Sequence, residues 1–218
     1  MENVQKIAFS NDILAKLRYF NHTQMVKRGS EEAVILEYGD QTVYIEELKE
    51  SGTAHLAVEH CYPVIAFKGL DLNQWTYLNY PNASDGLILE FTGDRWRAHI
   101  FELKKKVNNA HWAKAKKQFA GTYLYLKMIK GVLDITVDEN DILYYVGYRQ
   151  EEIQEQKNAT PIELHRGLHS GNHNMKSTAS VEWEKGQTVL QLYKGIRCKF
   201  QKIVLDSQTG EGVCTLSW

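Results

Sequence analysis

Three side chains in the stretch SDGLILEFTGDRWRAHIFELKKK, residues 84–106, are of types that hold a divalent cation or handle a proton: Asp85, Glu102 and Lys104. Apolar runs on either side of Thr92-Gly93-Asp94 predict a hairpin of two strands, 85–91 and 95–103. A turn at 92–94 sets residue 85 opposite residue 102, and strand alternation puts 102 and 104 on one face. The three side chains are therefore expected to converge. Asp85, Glu102 and the Leu103 main-chain carbonyl form a hard-oxygen donor set of the kind Mg²⁺ (or Mn²⁺) accepts together with water and phosphate. An ion held there would lower the pKa of a bound water and steady negative charge growing at phosphorus. Lys104 would orient that water and offset phosphate charge. With no cation the two acids would repel, and each would tend to hold its proton.

The elements that must position this trio are read from periodicity. Residues 10 to 28 place Ile13, Leu14, Leu17, Phe20 and Met25 near helical spacing, with Ser10 or Asp12 as a cap. AVILEYGDQTVYIEEL predicts a hairpin around Gly39-Asp40 whose second half runs into a short helix. CYPVIAFKG (61–69) predicts a short buried strand. Residues 108–130 form the longest helical segment, capped by Asn108 or Asn109, with Trp112, Phe119, Tyr123 and Leu126 as an inward stripe. ILYYVGYR (142–149) suits a strand covered on both faces. The stretch 151–180 is polar and irregular, and two or three strands follow it. The chain is thus expected to be α/β, with residues 1–150 as the core. Residues 151–218 are a loop plus a β-rich extension packed on that core rather than independent.

Composition narrows the class. The chain has 218 residues, is 43% hydrophobic and 24% charged, and has a net charge of −1. No apolar run reaches the ~20 residues of a membrane-spanning helix, so no membrane partner is expected. Cys61, Cys198 and Cys214 are widely spaced with no Cys-x-x-Cys pair, which argues against a disulfide framework, a zinc ribbon or a cysteine-held iron–sulfur cluster. The opening residues MENVQKIAFSND lack the apolar stretch of a secretory leader. A cytoplasmic, intracellular location is expected. The charge is unevenly spread: from Asp94 to Lys130 there are ten basic side chains against two acidic ones. Such a segment is the footprint of a phosphate-binding surface, and its plain alternative is a solvated helix face.

Asp85, a gap of sixteen residues and then Glu102-Leu103-Lys104 resembles the PD-(D/E)XK superfamily of restriction-endonuclease-like phosphodiesterases. The core of that family runs helix, three strands, helix, strand, which is the order read above for residues 10 to 149. The resemblance implies a central mixed sheet flanked by helices, with the C-terminal β-rich segment as an extension. It implies a Mg²⁺- or Mn²⁺-dependent nuclease, acting on DNA in preference to RNA. It also implies Asp85 and Glu102 as metal ligands with the Leu103 carbonyl, and Lys104 as the catalytic lysine. Many exonuclease-type members carry a glutamine and a tyrosine on the following helix. Gln118 and Tyr123 look like that pair, although one residue further apart than the commonest spacing. Lys105, Lys106, Lys114 and Lys117 would approach the nucleic-acid backbone. The pattern departs at Ser84, which stands where a proline is usual. An additional acid could come from Glu31, Glu32 or Glu47. A homodimer or a protein partner is left open.

Glu47-Leu48-Lys49 is a second E-L-K without the strand–turn–strand context, and a solvated helix end is expected there. His165, His169 and His173 recur every four residues, but Gly167 and Gly171 argue for a polar loop rather than a zinc-binding helix. His99 and His111 lie near the proposed site and are expected to cap or pack. Trp75, Trp96, Trp183 and Trp218 are expected to pack. The competing function is a nucleic-acid-binding or assembly module on the same fold, without catalysis.

Overall fold

The computed structural model describes residues 9–20, 34–36, 41–47, 54–68, 82–153 and 178–216. Its centre is a seven-stranded sheet in the order β1-β4-β5-β6-β7-β9-β8. These strands are β1 (Val34–Leu36), β4 (Val64–Lys68), β5 (Gly86–Phe91), β6 (Trp96–Val107), β7 (Val137–Glu151), β9 (Ile196–Val204) and β8 (Gln187–Leu190). The run from β1 through β6 is antiparallel, whereas β6–β7 and β7–β9 are parallel. Parallel neighbours need a crossover connection, and between β6 and β7 it is the 25-residue helix α2 (Asn109–Leu133).

A smaller sheet, β10-β3-β2, comprises β2 (Gln41–Glu47), β3 (Ala54–His60) and β10 (Glu211–Thr215). The two faces of the large sheet carry different cores. Leu87, Leu89, Ala98, Ile100, Tyr144 and Val146 pack with Trp112, Phe119 and Leu126 of α2 and with Ile13 of helix α1 (Asn11–Lys16). Ile88, Phe101, Leu103 and Tyr145 pack instead with Val43, Ile45, Leu56 and Val58 of the small sheet. The protein is a mixed α/β structure in three layers: helices, large sheet, small sheet.

Local chemistry explains the element ends. Ser10 caps α1 through Ile13 N–H at 3.3 Å, and Asn108 Oδ1 accepts from His111 N–H at 2.9 Å to start α2. Helix α2 ends at Asp134, which takes the left-handed conformation (φ 55°) and returns its N–H to the Lys130 carbonyl. Helix α3 (Thr178–Lys185) is tied to α2 by Glu182, which accepts from Trp112 Nε1 at 2.8 Å and Lys116 Nζ at 2.7 Å.

Two expectations about the first third are corrected. Val34–Leu36 and Gln41–Glu47 do not pair with each other as a hairpin: β1 pairs with β4 in the large sheet, while β2 pairs with β3 in the small one. Its second half remains strand through Glu47 rather than becoming helix. Strand β3, absent from the sequence reading, alternates buried Ala54, Leu56, Val58 and His60 with more exposed residues. Of the C-terminal strands, β8 and β9 extend the large sheet and β10 lies parallel to β3 in the small one. Trp96 and Trp183 are buried, as expected. Trp75, Trp218, Glu31, Glu32, His165, His169 and His173 lie outside the described residues.

Candidate active site

The β5–β6 hairpin has the expected register. Gly86 lies opposite Phe101, so Asp85, one residue earlier, stands beside Glu102. Asp85 Oδ2 accepts the Leu103 N–H at 2.6 Å. Glu102 follows Ala98 and Ile100 in alternation and so shares their helix-side face, with Val146 of β7 as its neighbour. Lys104 Nζ donates to Glu102 Oε1 and, at 2.9 Å, to the Leu103 carbonyl. Glu102 and Lys104 are both buried and Asp85 half-buried. An ionised carboxylate survives burial only when paired and hydrogen-bonded. The Lys104 ammonium supplies that pairing.

Helix α2 fixes where the trio begins. Gln118 Nε2 donates to the Ala83 carbonyl at 3.1 Å, and Thr122 Oγ1 accepts from Ser84 N–H at 2.7 Å. Residues four apart share a helix face. Together Gln118 and Thr122 staple the two residues before Asp85 onto the helix. Gln118 is buried, and its Oε1 makes no hydrogen bond among the described residues. Tyr123 does not join it. Its hydroxyl donates to Glu139 at 2.7 Å, and burial pushes its pKa up. Thr122 is the helix residue that accompanies Gln118, and the four-residue spacing was the signal for it.

Glu47 is a further correction. It ends β2 rather than a solvated helix, is only 8% exposed, and places Oε1 3.6 Å from Lys104 Nζ. A third acid therefore enters the neighbourhood from the small sheet. His99 also packs, as expected, but within a polar group. Its Nδ1 lies 3.0 Å from the Tyr145 hydroxyl and its Nε2 3.4 Å from Glu90 Oε2. Arg97 stands 3.7 Å from the same Glu90 oxygen. Strand alternation puts this group on the small-sheet side, and desolvation raises the pKa of Tyr145.

A divalent cation fits the donor chemistry. Glu102 Oε1 and the Leu103 carbonyl already converge on one positive charge, the Lys104 ammonium. Among the described residues no three His, Cys, Asp or Glu side chains gather as a metal-holding group. An ion here would thus rest on two carboxylates, one carbonyl and water, a set that suits Mg²⁺.

The basic segment is less available than its charge implies. Among the described residues at least six of its ten cations pair with acids: Arg95 with Asp141, Arg97 with Glu90, Lys104 with Glu47 and Glu102, Lys106 with Glu152, Lys116 with Glu182, and Lys127 with Glu139. Of the four lysines expected to meet a nucleic-acid backbone, Lys106 pairs with Glu152 at 3.0 Å. Lys105, Lys114 and Lys117 are exposed.

No family model matches the chain, and no curated protein or solved structure matches it. No described helix is long and apolar enough to cross a membrane.

Proposed function

We propose that the protein is a metal-dependent nuclease that hydrolyses phosphodiester bonds, of DNA in preference to RNA, on a restriction-endonuclease-like core. The observation that carries this reading is the convergence of Asp85, Glu102, the Leu103 carbonyl and Lys104 at the open end of the β5–β6 hairpin. The order β4, β5, β6, α2, β7, with β6 parallel to β7, supports it. So does the glutamine on α2 that reaches the residues leading into Asp85.

Asp85, Glu102 and the Leu103 carbonyl would hold Mg²⁺ or Mn²⁺, which when bound supplies an activated water and charge neutralisation at phosphorus. Lys104 orients the attacking water and offsets charge on the phosphate oxygens. Gln118 and Thr122 keep the Asp85 end of the hairpin in place, so the trio is assembled before substrate arrives. Lys105, Lys114 and Lys117 approach the backbone as exposed charges, and Lys106 does so once it leaves Glu152.

The same fold without catalysis, a nucleic-acid-binding or assembly module, is favoured by one observation. The Lys104 ammonium sits on oxygens that a metal would use. A melting-temperature scan separates the two, because a ligand bound only by the folded state raises stability. A nuclease site gives a rise with Mg²⁺ or Mn²⁺ in the wild type that is absent in Glu102→Ala. Equal melting temperatures with and without metal, together with salt-sensitive nucleic-acid binding, would replace it with the binding module.

A further inference from the structure

We infer that Glu47 receives the Lys104 ammonium when a divalent cation takes over Glu102 and the Leu103 carbonyl, so that metal entry is an exchange of one cation for another. This rests on the metal-site reading above. Lys104 Nζ now donates to Glu102 Oε1 and to the Leu103 carbonyl, two of the three protein oxygens assigned to the metal. An ammonium and a divalent ion cannot occupy the same point between those oxygens. Nζ must leave as the ion arrives.

Lys104 is buried, and a buried ammonium stripped of its partners is strongly disfavoured. Glu47 Oε1 lies 3.6 Å from Nζ, beyond a good hydrogen bond but within ion-pair range. A shift of Nζ by less than its own bond length, on a flexible four-carbon stem, turns that contact into a hydrogen bond. Glu47 comes from β2 of the small sheet rather than from the hairpin. Its position does not depend on where the ion pulls Asp85 or Glu102. It is also buried, so its charge acts on Nζ with little screening.

The exchange makes a specific demand on metal affinity. Lys104 opposes the ion, and Glu47 relieves that opposition by accommodating the ammonium. The test is a double-mutant cycle read by Mn²⁺ titration, with free Mn²⁺ followed by electron paramagnetic resonance and no substrate present. Wild type, Lys104→Met, Glu47→Gln and the double variant are compared, each first checked for an unchanged circular dichroism spectrum. Lys104→Met is expected to bind Mn²⁺ about tenfold more tightly, and Glu47→Gln about tenfold more weakly, the size of an ordinary coupling between contacting charged groups. The Glu47→Gln loss disappears in the Lys104→Met background, where no ammonium has to be received.

An equal Glu47→Gln loss in both backgrounds would make Glu47 a ligand or a bystander charge and overturn the exchange while leaving the metal site intact. Weaker or unchanged binding in Lys104→Met would overturn it as well. A wild type with no more Mn²⁺ bound than Glu102→Ala would remove the exchange and the metal site together. If Lys104→Met fails to fold, Lys104→Gln, which keeps a donor toward Glu102 without the charge, completes the same cycle.

Discussion

Asp85 and Leu103 are joined across the hairpin by a 2.6 Å hydrogen bond from the Leu103 N–H to Asp85 Oδ2. One carboxylate thus closes the end of the β5–β6 ladder and stands beside Glu102. Asp85→Asn retains an oxygen to accept that N–H but loses the charge. Asp85→Ala loses both. The asparagine variant is expected to stay within about 1 kcal/mol of wild-type stability without Mn²⁺, and the alanine variant to lose about 1–3 kcal/mol. Neither should be stabilised by Mn²⁺. Urea denaturation with and without the metal checks all of this, and a metal response retained in Asp85→Ala would remove Asp85 from the site.

The Thr122 hydroxyl is wholly buried and accepts the Ser84 N–H at 2.7 Å. Thr122→Val keeps the shape and leaves that N–H without its acceptor, a loss of about 1–3 kcal/mol. Thr122→Ser keeps the hydroxyl and should lie nearer to wild type. Denaturant midpoints give the order, and a valine variant as stable as wild type would mean that the staple does not hold the hairpin.

Gly86 tests how closely the small sheet sits on the site. A Cβ at this position would meet Ile45 Cδ1 at 2.5 Å. Gly86→Ala therefore has to turn or push the Ile45 side chain aside. Overpacking of this kind is expected to cost about 1–3 kcal/mol. Full stability in Gly86→Ala would show that the Ile45 side chain yields freely at this point.

Stability should fall on the alkaline side. Burial pushes the Cys198 thiol up to about 12 and the Cys214 thiol up to about 11. It also pushes Tyr148 up to about 12, with Tyr144 and Tyr145 raised too. These groups keep their protons in the folded state where the unfolded chain releases them. Their contribution is complete below the ordinary thiol range and is lost as pH rises from about 9 toward 12. Denaturant midpoints measured across that range should fall steadily. Tyrosinate absorbance should lag behind its free-chain titration until unfolding begins. A flat stability profile up to pH 11 would contradict the burial assigned to both thiols.

Much of the hairpin site was legible because strand register is arithmetic once a turn is placed. The Thr92-Gly93-Asp94 turn alone set residue 85 against 102, and the ladder from Gly86–Phe101 to Phe91–Trp96 follows it. Helix α2 was legible from its Asn108 cap and apolar stripe. Glu47 was not, because its place depends on a contact between two sheets that neighbouring residues do not encode. The partners of Val34–Leu36 and Gln41–Glu47 were missed for the same reason. Two apolar runs around Gly-Asp read as a hairpin, yet each run finds a better-buried neighbour elsewhere. The +8 segment misled in another way. Local charge counts cannot see Asp141, Glu152 and Glu182, which return from later in the chain to pair with its cations.

The most direct measurement is cleavage of linear duplex DNA, single-stranded DNA and RNA by wild type, Glu102→Ala and Lys104→Ala, each with Mg²⁺, Mn²⁺ or EDTA. The expected result is cutting by the wild type with either metal, strongest on DNA, none with EDTA, and none above background in either variant while both remain folded. Cutting that survives in Glu102→Ala or Lys104→Ala, or a wild type that cuts none of the three substrates, would contradict the assignment of this hairpin as a nuclease site.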